Sequence, residues 1–147
     1  MTKPCEYLEE MGEDIALLNT RQEQLLALRQ YGDYLDSLDA AHKTDDNLVP
    51  GCASATHIIV ALQDDGTLKF SGDSESFISK GYIYLLIEAF NGATPEFVLK
   101  EARPCVQRFA EQAGVRLSTL QSRANVFENV FSFMQRKTAE ALAQQGA

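Results

Sequence analysis

The stretch GYIYLLIEAF, residues 81–90, limits what this chain can fold into more than any other. Nearly every position is apolar except Glu88, so a helix built from this stretch has almost no face that prefers water. The run is too short to cross a bilayer and carries a charge, which indicates a buried helix. Asp73 and Ser74 offer N-cap oxygens before it, and Gly92 is a stop signal after it. We therefore predict a central helix, ending near Asn91, that the rest of the chain covers on most sides.

A β-hairpin is predicted immediately before this helix. Apolar residues alternate from Thr56 to Leu62, which is the pattern of a strand with one buried face. Asp65 and Gly66 form a tight-turn signal, and residues 68–70 can return antiparallel to the first strand. The sheet therefore lies in the middle of the chain.

Helix signals flank the hairpin on both sides. Pro4 suits the first turn of a helix within residues 5–18, because the first-turn amide needs no intrahelical partner. Thr20 and Glu23 form a capping box for a second helix. The apolar positions of that second helix recur every three or four residues. They are Leu25, Leu28, Tyr31, Leu35 and Leu38.

Three further helices are predicted after the central one. Thr94 and Pro95 begin the first of them, with a bend at residues 103–104 and a short helix that reaches Gly114. Ser118 and Gln121 form another capping-box pair, followed by a long helix with one apolar seam. The seam consists of Leu120, Ala124, Phe127, Phe131, Met134, Thr138 and Ala141. Helices flanking a small antiparallel sheet define an α+β protein.

The charge of the chain argues against a nucleic-acid partner. The formal net charge is −8, and residues 1–75 carry a net charge of −10 while residues 76–147 carry +2. An acidic surface repels a phosphate backbone. The acidic half could steer a basic protein partner, but it could equally be a solvated face.

The N-terminal sequence and the cysteine count favour a cytoplasmic protein. The first 14 residues are acidic and lack the apolar run of a signal peptide. Three cysteines without short spacing fit a reducing compartment better than a disulfide framework. We interpret Cys5 as part of a frayed tail and Cys105 as a core residue.

Cys52 is the strongest candidate for a chemical role. It follows Pro50 and Gly51, a turn pair that provides little packing for a structural cysteine and could display the sulfur on the surface. A thiol is mostly protonated at neutral pH, so reactivity requires a nearby cation, backbone amides or a helix start. The alternative is a small apolar residue that closes the end of the sheet, and the local sequence leaves both interpretations open.

His57 raises two further hypotheses. A Cys52–His57 pair would suit a thiol hydrolase, but five residues of extended chain span about 16 Å, and no acid or amide partner for the imidazole is evident. A half-exposed strand histidine is the alternative, and His42 is expected to be solvated. No cysteine or histidine spacing in the chain is typical of a metal site.

Several motifs together resemble the SufE/CsdE family of sulfur-acceptor proteins. They match it in order and spacing over about residues 20–135, and we treat residues 1–147 as a single SufE-like domain with residues 1–19 as an N-terminal extension. The pairing of a PGC loop with a GDS and KG segment is the most specific part. The matching segments are LLALRQYGDYLDSL, NLVPGC, ATHIIVAL, FSGDSESFISKGYIYLLIEAFNGATPE, ARP and LSTLQSRANVFENVF.

The resemblance implies a function and a fold. The fold is SufE/IscU-like α+β with about three strands. The implied partner is a pyridoxal-phosphate cysteine desulfurase of the SufS or CsdA type. The family accepts persulfide sulfur from that enzyme, stimulates it, and relays the sulfur to an acceptor of iron–sulfur cluster assembly. A protein of this kind is a carrier and activator rather than a stand-alone enzyme, and it needs no cofactor of its own. A regulatory or scaffold role is the alternative.

The resemblance also implies site residues. Cys52 aligns with the sulfur acceptor, and Arg123 would lie near the acceptor loop and support the thiolate. Partner contacts are expected at Gly51, His57, Asp73 and Glu75. The family usually has glutamine and tryptophan where this chain has Ala53 and His57, and LTPSRSNG is replaced by LSTLQSRANV. These departures bear on partner choice more than on fold.

Overall fold

The computed structural model describes residues 3–113 and 126–145. Within these ranges, two helices precede a β-hairpin and four helices follow it, so the predicted α+β class is confirmed. The elements are α1 (Lys3–Ala16), α2 (Arg21–Gly32), two 3-10 turns (Ala40–His42 and Asp45–Asn47), β1 (Thr56–Leu62), β2 (Leu68–Ser74), α3 (Phe77–Phe90), α4 (Pro95–Lys100), α5 (Arg103–Gln112) and α6 (Val126–Gln145).

Helix α3 is the centre of the core. It packs against α1, α2, β2 and α6, which explains why its sequence is apolar on almost every side. Its closest neighbour is α2: a Cβ atom added at Gly81 would collide with the backbone of Leu28. Ser76 caps the helix by accepting a 3.2 Å hydrogen bond from the Ser79 amide. The expectation that Asp73 and Ser74 cap it is wrong, because both residues belong to β2.

Among the described residues, the sheet has two strands rather than the predicted three or so. Its antiparallel register runs from Thr56 opposite Ser74 to Leu62 opposite Leu68. A third segment makes a single isolated bridge, between Leu48 and His57. The pairing ends after Val49, because Pro50 has no N–H group and begins a turn.

Two of the predicted capping signals mark the helix starts correctly. Thr20 and Glu23 form the predicted capping box of α2, and Thr94 caps α4 with Pro95 in its first turn. Helix α2 is shorter than predicted, since it ends at Gly32 and leaves Leu35 and Leu38 in the following connection. In α6, the described part of the predicted seam is buried at Phe127, Phe131, Met134 and Thr138. The end of the short helix at Gly114 and the pair Ser118–Gln121 lie outside the described residues.

A disulfide joins the first turns of α1 and α5. It links Cys5 and Cys105, whose Cα atoms are 5.4 Å apart. The expectation that Cys5 belongs to a frayed tail is therefore wrong, whereas Cys105 packs against the core as expected but is joined in a disulfide. The separation of 100 residues hid the pair from sequence spacing. Within the described ranges, no helix combines the length and apolarity required to cross a membrane.

Candidate functional site

Cys52 lies on a short loop at the entrance to β1. The amide of Val49 donates to the carbonyl of Thr56 at 2.8 Å, so the two ends of the loop are tied together. Gly51 has a φ of +84°, which glycine adopts without a Cβ penalty, and its carbonyl accepts a 3.4 Å hydrogen bond from Asn129 of α6. The loop is thus fixed at its base and only weakly held at its tip.

The sulfur of Cys52 is sheltered rather than displayed. Its side chain is half-buried and packs against the apolar core, whereas Gly51 and Ala53 on either side are exposed. Burial raises the pKa of the Cys52 thiol, and a hydrogen bond from the Thr56 side chain lowers it in part. The resting group is therefore a protonated thiol on a surface loop, and it is the only free cysteine of the chain, whose three cysteines are all described.

Buried hydroxyl groups lie beneath this loop. Thr56 is fully buried, and its hydroxyl donates to the Ser54 carbonyl at 3.0 Å. Its oxygen is 2.9 Å from the hydroxyl oxygen of Ser74, the residue opposite in the hairpin. The Ser74 oxygen also accepts a 3.1 Å hydrogen bond from the amide of Ser76. The sequence placed Thr56 on the core face but gave no sign of this row of hydroxyl groups, because only the strand register pairs it with Ser74.

His57 faces the other side of the hairpin from Thr56, as alternation along a strand requires. It lines a cleft of about 100 Å³ together with Lys43, Asp73 and Glu75. Cys52 does not line this cleft and packs against the apolar core instead, so the histidine and the cysteine have separate surroundings. This placement removes the support for a Cys52–His57 hydrolase.

Asp73 is held in place by two lysines and two backbone amides of the fold, and its contact with a partner protein stays a prediction. Its side chain is only 10% exposed and contacts Lys43 at 3.4 Å and Lys80 at 3.7 Å. It also accepts hydrogen bonds from the amides of Leu38 at 3.3 Å and Ser74 at 2.8 Å. Burial alone would raise the pKa of Asp73, but the two amides and the two lysines together hold it below its ordinary value.

The remaining predicted residues are distributed as follows. Gly51 and Glu75 are exposed beside the cysteine loop and the cleft, which leaves them available for partner contacts. Arg123 lies outside the described residues. His42 is exposed, as expected, and lines a separate cleft of about 400 Å³. In the part of the chain that the structure describes, no three histidine, cysteine or acidic side chains cluster to hold a metal ion.

The fold and the site define a class of protein: a small α+β domain with one free cysteine on a tied surface loop. The chain belongs to the SufE family, whose model is described as Fe-S metabolism associated domain and matches residues 9–138. The resemblance of the cysteine-loop and central-helix motifs to this family is thereby confirmed.

Individual relatives agree with this assignment. A SufE-like protein of Synechocystis sp. is 39% identical over 117 residues, which cover 80% of this chain and 69% of that protein. The chloroplastic SufE-like protein 2 of Arabidopsis thaliana is 29% identical, over 97% of this chain and 54% of the relative. A chloroplastic quinolinate synthase of Nicotiana tabacum is 34% identical over 80% of this chain but only 16% of its own length. The matched region thus also occurs as a small part of a much larger protein.

A solved structure supports the fold. The solution structure of a hypothetical protein from Thermus thermophilus superposes with a TM-score of 0.72, covering 97% of this chain and 99% of that one. The sequence identity is 19%, so this likeness bears on the fold alone.

Proposed function

We propose that this protein accepts persulfide sulfur on Cys52 from a pyridoxal-phosphate cysteine desulfurase and passes it on for iron–sulfur cluster assembly. The observation that carries the proposal is the position of Cys52, a free thiol on a surface loop that is fixed at its base and only weakly held at its tip. Membership of a family associated with Fe-S metabolism supports a role of this protein in iron–sulfur cluster assembly.

The transfer is a thiol exchange without net oxidation. The Cys52 thiolate attacks the terminal sulfur of the donor persulfide, and the S–S bond of the donor breaks. The donor cysteine leaves with the bonding electron pair as a thiolate and takes up the proton that Cys52 released. Cys52 then carries the persulfide, and the donor is free for another turnover, which explains a stimulating effect on the desulfurase.

The raised pKa of Cys52 has a consequence for this step. Because the resting thiol is protonated and half-buried, it must lose its proton and leave its shelter before it can attack. We therefore expect acceptance to quicken as the pH rises towards the pKa of Cys52. The donor site can achieve the same effect by taking the proton or drawing the loop outward.

The alternatives receive less support. A hydrolase needs a base beside the thiol, and His57 lies in the cleft on the opposite face of the hairpin. A cluster scaffold needs several converging ligands, whereas Cys5 and Cys105 are paired with each other and leave Cys52 by itself.

The test uses the full chain, a purified desulfurase of the SufS type and free cysteine. We expect the intact protein to gain the mass of one sulfur atom on Cys52, and the Cys52→Ser variant to gain none. Ala53→Ser, a change of similar size at the next residue of the loop, should leave the transfer intact. Sulfur found only on Cys5 or Cys105, or a Cys52→Ser variant that is loaded like the wild type, would refute the proposal.

A further inference from the structure

Helix α3 leaves one narrow strip of its surface open to solvent. Between Gly81 and Phe90 every residue is buried except Tyr84, which is half-buried, and Glu88, which is exposed. The Tyr84 hydroxyl donates a 3.1 Å hydrogen bond to Oε1 of Glu88, one helical turn further on. The single charge of the apolar run is therefore held at the surface, and its Oε2 atom has no hydrogen-bond or ion-pair partner among the described residues.

Two clefts meet along this strip. The first, of about 400 Å³, lies between α3, the hairpin and the connection after α2, and the second, of about 330 Å³, lies between α3 and the start of α1. Glu88 and Asn91 line both clefts, which therefore form one groove that we call the Glu88 groove. A small molecule binds best where it is enclosed on most sides, whereas this groove is open along its length. Its shape suits an extended polypeptide segment.

Aromatic and apolar side chains line the first cleft. The rings of Tyr34 and Tyr84 lie 5.7 Å apart at an interplanar angle of 36°, and Tyr34 is 71% exposed. In the described part of the chain, the rings that have a cation over them are phenylalanines, so both tyrosine rings are open to one. The face of a tyrosine ring attracts cations. Ile59 and Ile87 add apolar surface beside the rings.

The charges of the first cleft also favour a cation. Three carboxylates line it, and none of them has an ion pair within the described ranges. Only one lysine and one histidine oppose them, so three negative charges against one positive charge give −2 with the histidine neutral. The second cleft adds Lys3, which confines the negative charge to the first. The charged and titratable residues of the first cleft are Asp36, Asp39, His42, Lys69 and Glu88.

We propose that the Glu88 groove binds an extended segment of a partner protein through an arginine side chain. The planar guanidinium group stacks on the tyrosine rings and pairs with the Glu88 carboxylate, while its methylene groups lie on the apolar surface. Lysine has a compact and strongly hydrated charge, which suits a flat ring less well. The site goes beyond the function proposed for Cys52 and does not depend on it, because Cys52 lines neither cleft.

The test is two-dimensional NMR of the isotope-labelled full chain. The probe is a pentapeptide with blocked ends that has arginine at its second and fourth positions and glycine elsewhere. We expect saturable shifts at the amides of residues 3–7, 34–42, 69–72 and 84–93, and none at residues 49–53. Free arginine should bind more weakly because it occupies only one cleft. The lysine version of the peptide should bind several-fold more weakly, and the glutamate version should not bind.

Two variants separate the Glu88 groove from general attraction to an acidic surface. Glu88→Gln removes the charge and keeps the shape, so it should raise the Kd of the arginine peptide roughly threefold to fivefold. Tyr34→Ala removes the exposed ring and should raise the Kd by a similar factor. Both side chains are exposed, so circular dichroism should show unchanged folding. The matched control is Glu101→Gln, an exposed glutamate at the end of α4 that lines neither cleft, and it should leave the Kd unchanged.

Four results would overturn the proposal. The first is the absence of saturable binding of the arginine peptide, and the second is a set of shifts spread over the acidic half of the chain. The third is a Kd in Glu88→Gln and Tyr34→Ala that equals the Kd in Glu101→Gln, since net charge alone would then account for the affinity. The fourth is a lysine peptide that binds as tightly as the arginine peptide, which would contradict stacking of the guanidinium group.

Discussion

Exchange of Asp73 for asparagine should destabilise the fold measurably. The two carboxylate oxygens accept from the amides of Leu38 and Ser74, and asparagine offers only one oxygen for these two donors. Loss of one charge-assisted hydrogen bond costs about 1.5–3 kcal/mol of unfolding free energy. The side chains of the paired residues Lys43 and Lys80 are 41% and 26% exposed, so each ion pair contributes at most about 1 kcal/mol. We expect a total loss of about 2–4 kcal/mol, which lowers the Tm by about 5–15 °C in a chain of this length.

The dependence of this loss on pH tests its electrostatic origin. The pKa of Asp73 is lowered in the folded protein, so its stabilising effect is fully present above the unfolded pKa of about 3.9 and disappears as the pH falls through the folded value. Urea unfolding followed by circular dichroism should therefore show a large difference between Asp73→Asn and the wild type at pH 7, and a small one well below pH 3.9. The exposed neighbour Glu75, changed to glutamine, is the matched control. An equal loss at both pH values, or a loss at pH 7 no larger than that of Glu75→Gln, would refute the reasoning.

Two further experiments test the close packing of α2 against α3 and the Cys5–Cys105 disulfide. Gly81→Ala improves helix propensity by about 1 kcal/mol but places a Cβ atom against the backbone of Leu28. We therefore expect thermal denaturation to show a net loss of about 1–3 kcal/mol of unfolding free energy. A gain in stability would contradict the close approach of α2 and α3. Thiol titration of the unfolded protein should count one free thiol, Cys52, without reductant and three after reduction, and breaking the Cys5–Cys105 link should lower the Tm by about 10 °C. Three free thiols without reductant would show that this pair is not joined.

Local signals in the sequence were sufficient for most of the fold. The capping box at Thr20 and the Thr94–Pro95 start act within one helical turn, so tertiary contacts rarely override them. The apolar run at residues 81–90 predicted the central helix because only burial on most sides suits such a composition. The end of α2 was misplaced, because Leu35 reaches the core from a connection and imitates the helical spacing.

The site was predicted less completely, because it depends on pairings across the chain. The PGC motif indicated Cys52, but the partial burial of its sulfur follows from tertiary packing that no local pattern encodes. Thr56 and Ser74 meet only through the strand register, and Asp73 gains its partners from α3 and the segment after α2. Asp73 therefore looked like a helix cap from its sequence neighbours alone.

The hydrogen bond between Val49 and Thr56 limits how far Cys52 can move away from the hairpin. Cys52 is three positions after Val49, so its Cα atom can lie at most about 10 Å from that of Val49 while the hairpin stays intact. Under the proposed function, Cys52 could reach a donor sulfur that is recessed much further than this only if the hydrogen bond at the base of the loop opened. The geometry thus favours donors that present their sulfur close to their own surface. Donors with a more deeply placed sulfur would require the Val49–Thr56 hydrogen bond to open first.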